Sequence, residues 1–223
     1  DVIIIGGGPA GLTALMWCRE LGLNSIVLEA GAGPGGQLHR IFNPINNYPG
    51  IHAATGAEFY EKFTLGFEQL KGDILLNRTV TEVDVENCTV TVDDGARFAA
   101  RALVFATGVR RRKLGIQGEN EFRGRGILES GAKQRQAVED RVVAIVGSGD
   151  AALENAVILS EFAKKVLVIH RRKELSARTS FVADAAARGN VEFLPETAVR
   201  AIKGSETVEQ IEVSEADTGR SKA

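Results

Sequence analysis

The sequence predicts an α/β fold made of two successive strand–helix–strand units, and two observations carry this prediction. The chain holds 25 glycines among 223 residues, and its Val/Ile/Leu residues occur in short runs typical of buried parallel strands. Residues 1–30 and 141–171 then repeat one plan: an apolar strand, a glycine turn, an amphipathic helix and a second strand. We therefore expect two Rossmann-like (βαβ) nucleotide-binding domains with a three-layer ββα arrangement.

Composition and charge exclude several classes of protein. The chain carries 27 basic and 29 acidic residues, with a formal net charge of −2, so neither nucleic acid nor an anionic membrane is indicated as a partner. No apolar run approaches the length of a membrane span. Cys18 and Cys88 are the two cysteines, and their wide separation does not suggest the disulfide framework of a secreted protein. These features predict a soluble, cytoplasmic protein.

The first repeat contains a glycine turn that predicts a dinucleotide site. Gly6, Gly8 and Gly11 form the pattern G-x-G-x-x-G between a strand and a helix. The first glycine allows a tight turn, the second lets a pyrophosphate approach the backbone, and the third lets the helix pack on the strand. The N–H groups and positive dipole end of the helix would then bind the phosphates.

The second repeat contains the same kind of turn, in which Gly147, Gly149 and Ala152 form G-x-G-x-x-A. It also lies between an apolar strand and a helix, so a second dinucleotide site is predicted. For both turns the alternative is a tight helix-packing turn with no ligand.

The residues after the second strand of each unit distinguish the two sites. Glu29 lies 23 residues after Gly6, where a carboxylate can accept hydrogen bonds from an adenosine ribose. The same count in the second unit gives His170, followed by Arg171 and Arg172. Guanidinium groups would pair with a 2′-phosphate, which a carboxylate would repel, so this unit is predicted to bind NADP(H). The alternative is a solvated basic helix start.

Seven short motifs together carry a family resemblance: VIIIGGGPAG (2–11), PGGQL (34–38), NNYPG (46–50), ATG (106–108), GENEFRGRG (118–126), VGSGDAALE (146–154) and IHRR (169–172). On these motifs the whole chain resembles the low-molecular-weight thioredoxin reductases of the pyridine nucleotide–disulfide oxidoreductase superfamily. The resemblance implies an FAD/NAD(P)-binding fold, with an FAD-binding domain at 1–112 and an inserted NAD(P)H-binding domain at 113–223. It also implies a homodimer.

The resemblance implies the residues of both sites, and no metal site. For FAD these are Gly6, Gly8, Pro9, Ala10, Gly11, Glu29, Ala30, Gly36, Gln37, Leu38, Asn47, Thr107 and Gly108. For NADPH, with NADH as the alternative, they are Gly147, Ser148, Gly149, Asp150, Ala151, Ala152, His170, Arg171 and Arg172. Two further histidines, His39 and His52, are isolated in the sequence and are expected to be structural or solvent-facing.

The main departure from the family concerns its redox-active C-x-x-C, whose two positions here hold Ser130 and Lys133. A hydroxyl and an ammonium cannot form a disulfide. Cys18 is expected to pack in the core on the first helix, and Cys88 to be a half-buried strand residue. The S-x-x-K pattern formally matches acyl-transferring serine enzymes, but the companion motifs are missing and a solvated loop is preferred.

Three further departures affect the nucleotide sites, and the largest of them concerns the end of the chain. Ser176 stands where relatives carry a third arginine, and Arg178 is expected to point elsewhere on a helix, which weakens the preference for NADPH. Ala151 replaces a common Ser or Thr. Relatives also return from the second domain to complete the FAD domain, so we expect more sequence beyond Ala223.

The remaining segments predict ordinary elements of such a fold. Residues 57–71 have the pattern of an amphipathic helix, and residues 79–108 that of a β-meander with an Asp-Gly hairpin turn leading into a last strand. The basic run RRRK at 110–113 is expected to mark the domain junction.

These observations predict an FAD-dependent NAD(P)H oxidoreductase. Hydride would pass from NADPH to FAD, and electrons would leave for an acceptor other than an intrinsic C-x-x-C dithiol, either a redox protein or a small molecule. The flavin would carry the chemistry, with no catalytic side chain. Three alternatives remain: an electron-transfer enzyme resembling ferredoxin/flavodoxin–NADP reductases, a disulfide reductase using cysteines outside residues 1–223, and a non-catalytic nucleotide-binding redox sensor.

Overall fold

A computed structural model describes residues 1–65, 73–216 and 221–222. The chain divides into two compact units, Asp1–Arg111 and Arg112–Ala223. The division falls within the basic run at 110–113. Which nucleotide each unit binds remains a prediction.

The first unit contains, in chain order, β1 (Val2–Ile5), α1 (Pro9–Glu20), β2 (Ser25–Leu28), a 3-10 helix (Gly36–Arg40), β3 (Ile45–Tyr48), β4 (Ile51–Ala53), α2 (Gly56–Phe63), β5 (Ile74–Leu75), β6 (Val80–Asp84), β7 (Thr89–Val92), β8 (Arg97–Ala99) and β9 (Ala102–Phe105). A four-stranded parallel sheet has the order β5-β2-β1-β9. The strands β6, β7 and β8 form an antiparallel sheet, and β3 pairs with β4.

The parallel sheet of the first unit is covered on both faces. On one face Ile4 packs in a cluster with Leu15 of α1, and on the other Ile3 packs in a cluster with Val90 of the meander. All four residues of β1 are buried, as expected for a central strand whose sequence VIII is apolar on both faces. Helix, parallel sheet and antiparallel meander form the predicted ββα layers.

The meander confirms one prediction and corrects another. The chain turns between β7 and β8 at Gly95, which has a φ of 83°, as the Asp-Gly signal predicts. Cys88, however, lies in the turn between β6 and β7 with a φ of 49°, and is not a strand residue. The strand residues of TVTV begin one position later. Cys18, on the buried face of α1, does pack in the core as expected.

The predicted helix at 57–71 is observed in part, as α2. It begins after Thr55, whose hydroxyl accepts a hydrogen bond from the backbone N–H of Glu58 at 3.2 Å. Phe59 faces a small core with Leu38 and Ala53. Residues 66–71 of the predicted helix lie outside the described residues.

The second unit contains α3 (Gly131–Gln134), a 3-10 helix (Arg135–Val138), β10 (Val142–Val146), α4 (Asp150–Ser160), β11 (Lys165–Ile169), α5 (Thr179–Ala186), β12 (Val191–Leu194), β13 (Thr197–Gly204), β14 (Val208–Glu215) and β15 (Ser221–Lys222). The parallel sheet has the order β10-β11-β12, and the antiparallel sheet the order β13-β14-β15. Leu153 and Ala156 of α4 pack with Val166 and Val168 of β11.

The predicted internal repeat is therefore present in the structure. The units β1-α1-β2 and β10-α4-β11 both pair their two strands in parallel across one helical connection. Over the described part of the chain, no helix is long and apolar enough to cross a membrane.

Candidate nucleotide sites

The first glycine turn connects β1 to α1, and at two of its positions neighbouring backbone atoms leave no space for a side chain. Gly6 has a φ of 105°, and a Cβ there would overlap the carbonyl oxygen of Ala106, which follows β9. A Cβ on Gly11 would overlap the carbonyl oxygen of Gly6. The fold itself thus requires glycine at both positions, so that helix, turn and strand can approach closely.

Gly8, the middle glycine of this turn, is not explained by packing. Its φ is −74°, which any residue can adopt, and a Cβ there would meet no described atom within 4 Å. Gly8 is also the N-cap of α1, and no side chain in the described structure caps that helix, whose first residue is Pro9. Open space and uncapped N–H groups at a helix start are the features that bind a diphosphate.

The carboxylate of Glu29 lies against this turn. Its Oε2 accepts a hydrogen bond from the N–H of Gly7 at 2.6 Å, and its Oε1 accepts one from the N–H of Gly31 at 2.7 Å. The side chain at the end of β2 is therefore held beside the turn, at the position where the sequence predicts a ribose-binding acid. Ala30, next to it, is exposed.

The PGGQL segment lies beside the same turn, because the N–H of Gly35 donates to the carbonyl of Gly7 at 2.8 Å. A Cβ on Gly36 would approach the Cα of Gly8 to 3.3 Å. The exposed side chain of Gln37 donates to the carbonyl oxygen of Val109 at 2.6 Å. Leu38, in contrast, is buried in the cluster with Phe59, so its side chain anchors the PGGQL segment to this small core.

The remaining predicted FAD residues differ in their placement. Thr107 and Gly108 follow β9 directly after Ala106, which touches Gly6, so the ATG motif borders the turn. Ala10 is exposed in the first turn of α1. Asn47 is exposed in β3, and no contact of its side chain with the turn is observed within the described ranges.

The second glycine turn connects β10 to α4 and repeats this arrangement. Gly147 has a φ of 147°, and a Cβ there would lie 3.2 Å from the Cβ of Ala152. This tight approach explains why both position 147 and position 152 hold small residues. Gly149 has a φ of −93°, and a Cβ there would lie 3.9 Å from the hydroxyl of Ser176, an ordinary contact distance. As in the first turn, packing does not require the middle glycine. Ala151 follows Asp150 in the first turn of α4 and is exposed.

We call residues 171–178 the basic loop, which connects β11 to α5. It folds onto the second glycine turn, where the N–H of Ser176 donates to the carbonyl of Ser148 at 2.9 Å. The hydroxyls of these two serines lie 3.0 Å apart. Arg171 and Arg172, at the start of the basic loop, are exposed.

Arg178 contradicts its predicted placement. It is not on a helix that points it away; it is the N-cap residue of α5. Its backbone N–H donates to Oδ1 of Asp150 and its Nε donates to Oδ2, both at 2.8 Å. The hydrogen bond from this backbone N–H, with the guanidinium beside it, holds the pKa of Asp150 below its ordinary value.

His170 is buried, unlike the two arginines that follow it. Its side chain is 3% exposed, and within the described structure neither ring nitrogen has a hydrogen-bond partner. The backbone of His170 donates to Leu194 and accepts from Thr197, which joins the end of β11 to its neighbours. A buried imidazole without a partner is costly, so this ring is a place where a ligand hydroxyl or phosphate would add a missing hydrogen bond.

The side chains at the family's dithiol positions have a structural role, which corrects the expected solvated loop. Ser130 is the N-cap of α3, and its hydroxyl accepts a hydrogen bond from the N–H of Lys133 at 3.3 Å. The S-x-x-K pattern is therefore the start of a helix. Lys133 itself is exposed.

The isolated histidines behave as expected. His39 contacts the carbonyl oxygen of Pro34 at 2.8 Å through Nε2 and packs against Tyr60, and His52 is exposed. In the part of the chain that the structure describes, no group of three or more His, Cys, Asp or Glu residues could hold a metal ion.

The chain contains two units that each consist of a strand, a glycine turn, a helix and a second strand. One unit ends in a carboxylate and the other in the basic loop. This arrangement is typical of two-domain FAD/NAD(P)-binding α/β proteins. The chain belongs to the pyridine nucleotide-disulphide oxidoreductase family, whose model matches residues 1–223. FAD and NADPH are the cofactors of this family. The predicted resemblance and fold class are thus confirmed.

The chain is similar to bacterial thioredoxin reductases. It is 33% identical to that of Listeria monocytogenes over 204 residues, covering 92% of this chain and 63% of the relative. It is 34% identical to that of Bacillus subtilis over 207 residues, covering 91% and 63%. The crystal structure of Lactococcus lactis thioredoxin reductase (FR conformation) matches with a TM-score of 0.83 at 30% identity, covering 100% of this chain and 73% of that one. The chain therefore spans 63% of the length of the first two relatives.

Proposed function

We propose that this protein is an FAD-dependent NAD(P)H oxidoreductase that binds FAD at the first glycine turn and NADPH at the second. The observation that carries the proposal is the room for a side chain at both middle glycines: a Cβ on Gly8 would meet no described atom within 4 Å, and one on Gly149 would make only an ordinary contact at 3.9 Å. In the first turn the flanking glycines are required by packing, and in the second a Cβ on Gly147 would crowd Ala152 at 3.2 Å, whereas packing requires neither middle glycine. A bound diphosphate lying against the backbone explains why a side chain is absent there.

The assignment of the two nucleotides rests on charge. Glu29 presents a carboxylate at the first site, which suits ribose hydroxyls and disfavours a 2′-phosphate. Arg171 and Arg172 present two exposed guanidinium groups at the start of the basic loop, which suit a 2′-phosphate. NADPH is therefore the proposed donor, and NADH is the alternative.

The described residues of this chain would bind and orient the nucleotides. When bound, the nicotinamide and flavin supply the hydride chemistry. The helix starts of α1 and α4 would bind the two diphosphates through backbone N–H groups. The carboxylate of Glu29 would orient the FAD ribose, since its hydrogen bonds to Gly7 and Gly31 fix its position.

The acceptor of the electrons is proposed to be something other than an intrinsic C-x-x-C dithiol. Residues 1–223 contain two cysteines, one on the buried face of α1 and the other in the turn before β7, and neither belongs to a C-x-x-C pattern. The similarity to thioredoxin reductases favours a redox protein such as thioredoxin as partner, reached through cysteines outside residues 1–223 or on the partner. A ferredoxin or flavodoxin is the other candidate, and a homodimer is the proposed assembly.

The proposal is tested by mixing the full-length protein anaerobically with NADPH or NADH and following the visible absorbance of the oxidised flavin. We expect the protein to purify with FAD, and NADPH to bleach the flavin faster than NADH does. Thioredoxin, ferredoxin and a small disulfide are then offered to the reduced protein. A protein that carries no flavin, or whose flavin stays oxidised with both donors, would contradict the proposal.

A further inference from the structure

The second glycine turn carries a negative charge where a diphosphate would bind. Asp150 is the first residue of α4 and follows Gly149 directly. A carboxylate in the first turn of a helix is favourable for the helix dipole, but it would repel an anion bound to the same N–H groups. A dinucleotide site at this turn therefore needs a positive charge to offset Asp150.

Arg178 supplies that charge with a two-point contact. Its backbone N–H and its Nε bind the two carboxylate oxygens of Asp150, each at 2.8 Å. The guanidinium also lies 4.7 Å from the centre of the Phe181 ring, which fixes it from the side of α5. The contact is specific in geometry, since one residue binds both oxygens of the other.

The same contact fastens the basic loop. Ser176 binds Ser148 on one side of Gly149, and Arg178 binds Asp150 on the other side. The C-terminal end of the basic loop is thus tied to both neighbours of the glycine whose space the ligand would use. Arg171 and Arg172 lie in this loop, whose N-terminal end is fixed by β11.

We propose that Arg178 is a positioning residue of the second nucleotide site, which neutralises Asp150 and holds the basic loop against the glycine turn so that the turn accepts a dinucleotide diphosphate. This inference rests on the proposed function of that turn as a nucleotide site. It assigns Arg178 an action through Asp150, not a direct contact with the 2′-phosphate.

The experiment compares Arg178→Met, Asp150→Asn and the double variant by calorimetric titration with NADP⁺. Arg178→Met removes the guanidinium that offsets the charge of Asp150 and leaves only the hydrogen bond from the backbone N–H of residue 178, so we expect NADP⁺ binding to weaken by about 10- to 100-fold. Asp150→Asn removes the repelling charge, so its affinity should equal or exceed that of the unmodified protein. The double variant should regain at least about half of the loss on a logarithmic scale, because no carboxylate remains to repel the diphosphate.

A second ligand and a control variant separate this role from others. Adenosine 2′-monophosphate carries the 2′-phosphate without either phosphate of the diphosphate bridge, so Arg178→Met should weaken its binding by less than about 3-fold. Arg188→Met removes another ion-paired arginine, which is half-buried and lies 3.4 Å from Glu161, and should leave both affinities within about 2-fold. Thermal unfolding of each variant reports whether it is folded.

The outcomes distinguish the inference from the proposed function. A double variant as weak as Arg178→Met would show that Arg178 acts on the ligand directly, and would overturn the inference. Unchanged NADP⁺ binding by Arg178→Met would also overturn it while leaving the proposed function intact. An unmodified protein that binds neither NADP⁺ nor NAD⁺ would overturn both.

Discussion

Oε2 of Glu29 lies 2.6 Å from the backbone nitrogen of Gly7, so the end of β2 is joined to the first glycine turn by a charge-assisted hydrogen bond. The other oxygen accepts from Gly31 at 2.7 Å. The chain itself therefore holds the carboxylate in one orientation, and each oxygen keeps further capacity to accept a hydrogen bond, which under the proposed function would come from a ribose hydroxyl.

Replacement of Glu29 by Gln should lower both stability and FAD retention. An amide nitrogen cannot accept a hydrogen bond, so one of the two backbone N–H groups loses its partner, at a cost of about 1–2 kcal/mol in the free energy of unfolding. Denaturant titration and the flavin content of the purified protein measure the two effects. The control is Glu20→Gln, an exposed change at the end of α1. Equal stability of the two variants would contradict the role given to Glu29.

The middle glycines should be required for binding and not for folding. Gly149→Ser and Gly8→Ser place a Cβ where there is room for it, and serine is a good N-cap, so the free energy of unfolding should change by less than about 0.5 kcal/mol. NADP⁺ binding should be lost in the first variant and FAD in the second, because the side chain occupies the diphosphate position. Gly11→Ala, whose Cβ overlaps the Gly6 carbonyl, should instead impair folding. Serine variants that retain their nucleotides would rule out this use of the turns.

Removal of both cysteines should leave flavin reduction intact. In the Cys18→Ala, Cys88→Ser variant we expect the rate of flavin reduction by NADPH to stay within about 2-fold of the unmodified rate. Replacing Cys18 should cost about 1 kcal/mol in the free energy of unfolding, because its side chain packs in the core on the buried face of α1. Stopped-flow absorbance and thermal unfolding provide the measurements. A large loss of rate in a folded protein would mean that one of these thiols takes part in the reaction.

Glu119 should make the stability of the second unit depend on pH. The N–H groups of Leu114 and Gly115 donate to its carboxylate at 2.8 and 2.7 Å, and the hydrogen bond from Leu114 is the main cause that lowers its pKa. Because the folded-state pKa is the lower one, the stabilisation is present above the ordinary pKa of glutamate. It is lost as the pH falls through the folded-state value.

The measurement compares the unmodified protein with Glu119→Gln by denaturant titration across this pH range. The variant should be less stable near neutral pH, by under about 1 kcal/mol, and the two curves should converge in acid. Glu121→Gln, at an exposed position of the same segment, is the control. A difference that is constant with pH would contradict the assignment.

The elements that the sequence predicted well are those set by local patterns. The strand VIII, the glycine turn and the helix from Pro9 follow from apolar periodicity and the spacing of Gly6 and Gly11, which the packing then requires. The equal count from each turn to Glu29 and His170 also placed both residues at strand ends. These features depend on residues within a single strand–turn–helix–strand unit.

The predictions that were wrong concern contacts or element boundaries that no local sequence pattern contains. Arg178 was assigned to a helix that in fact begins one residue later, and its pairing with Asp150 spans 28 positions. Cys88 follows a polar Glu-Asn pair, and its positive φ was not evident from the alternating residues after it. Ser130 and Lys133 have the spacing of a helix N-cap, a local signal that indicates the short helix α3 in place of a solvated loop.

The equal spacing of the two units has a consequence for how cofactor choice can change. Folding of each unit depends on its strand and helix core, whereas under the proposed function the choice between nucleotides would fall to a few residues beyond the second strand, such as Glu29 or Arg171. Selectivity can therefore change by substitution at those few positions while the scaffold is inherited unaltered. For protein engineering, this makes the segment after β11 the natural target for converting the donor preference, with no redesign of the domain that carries it.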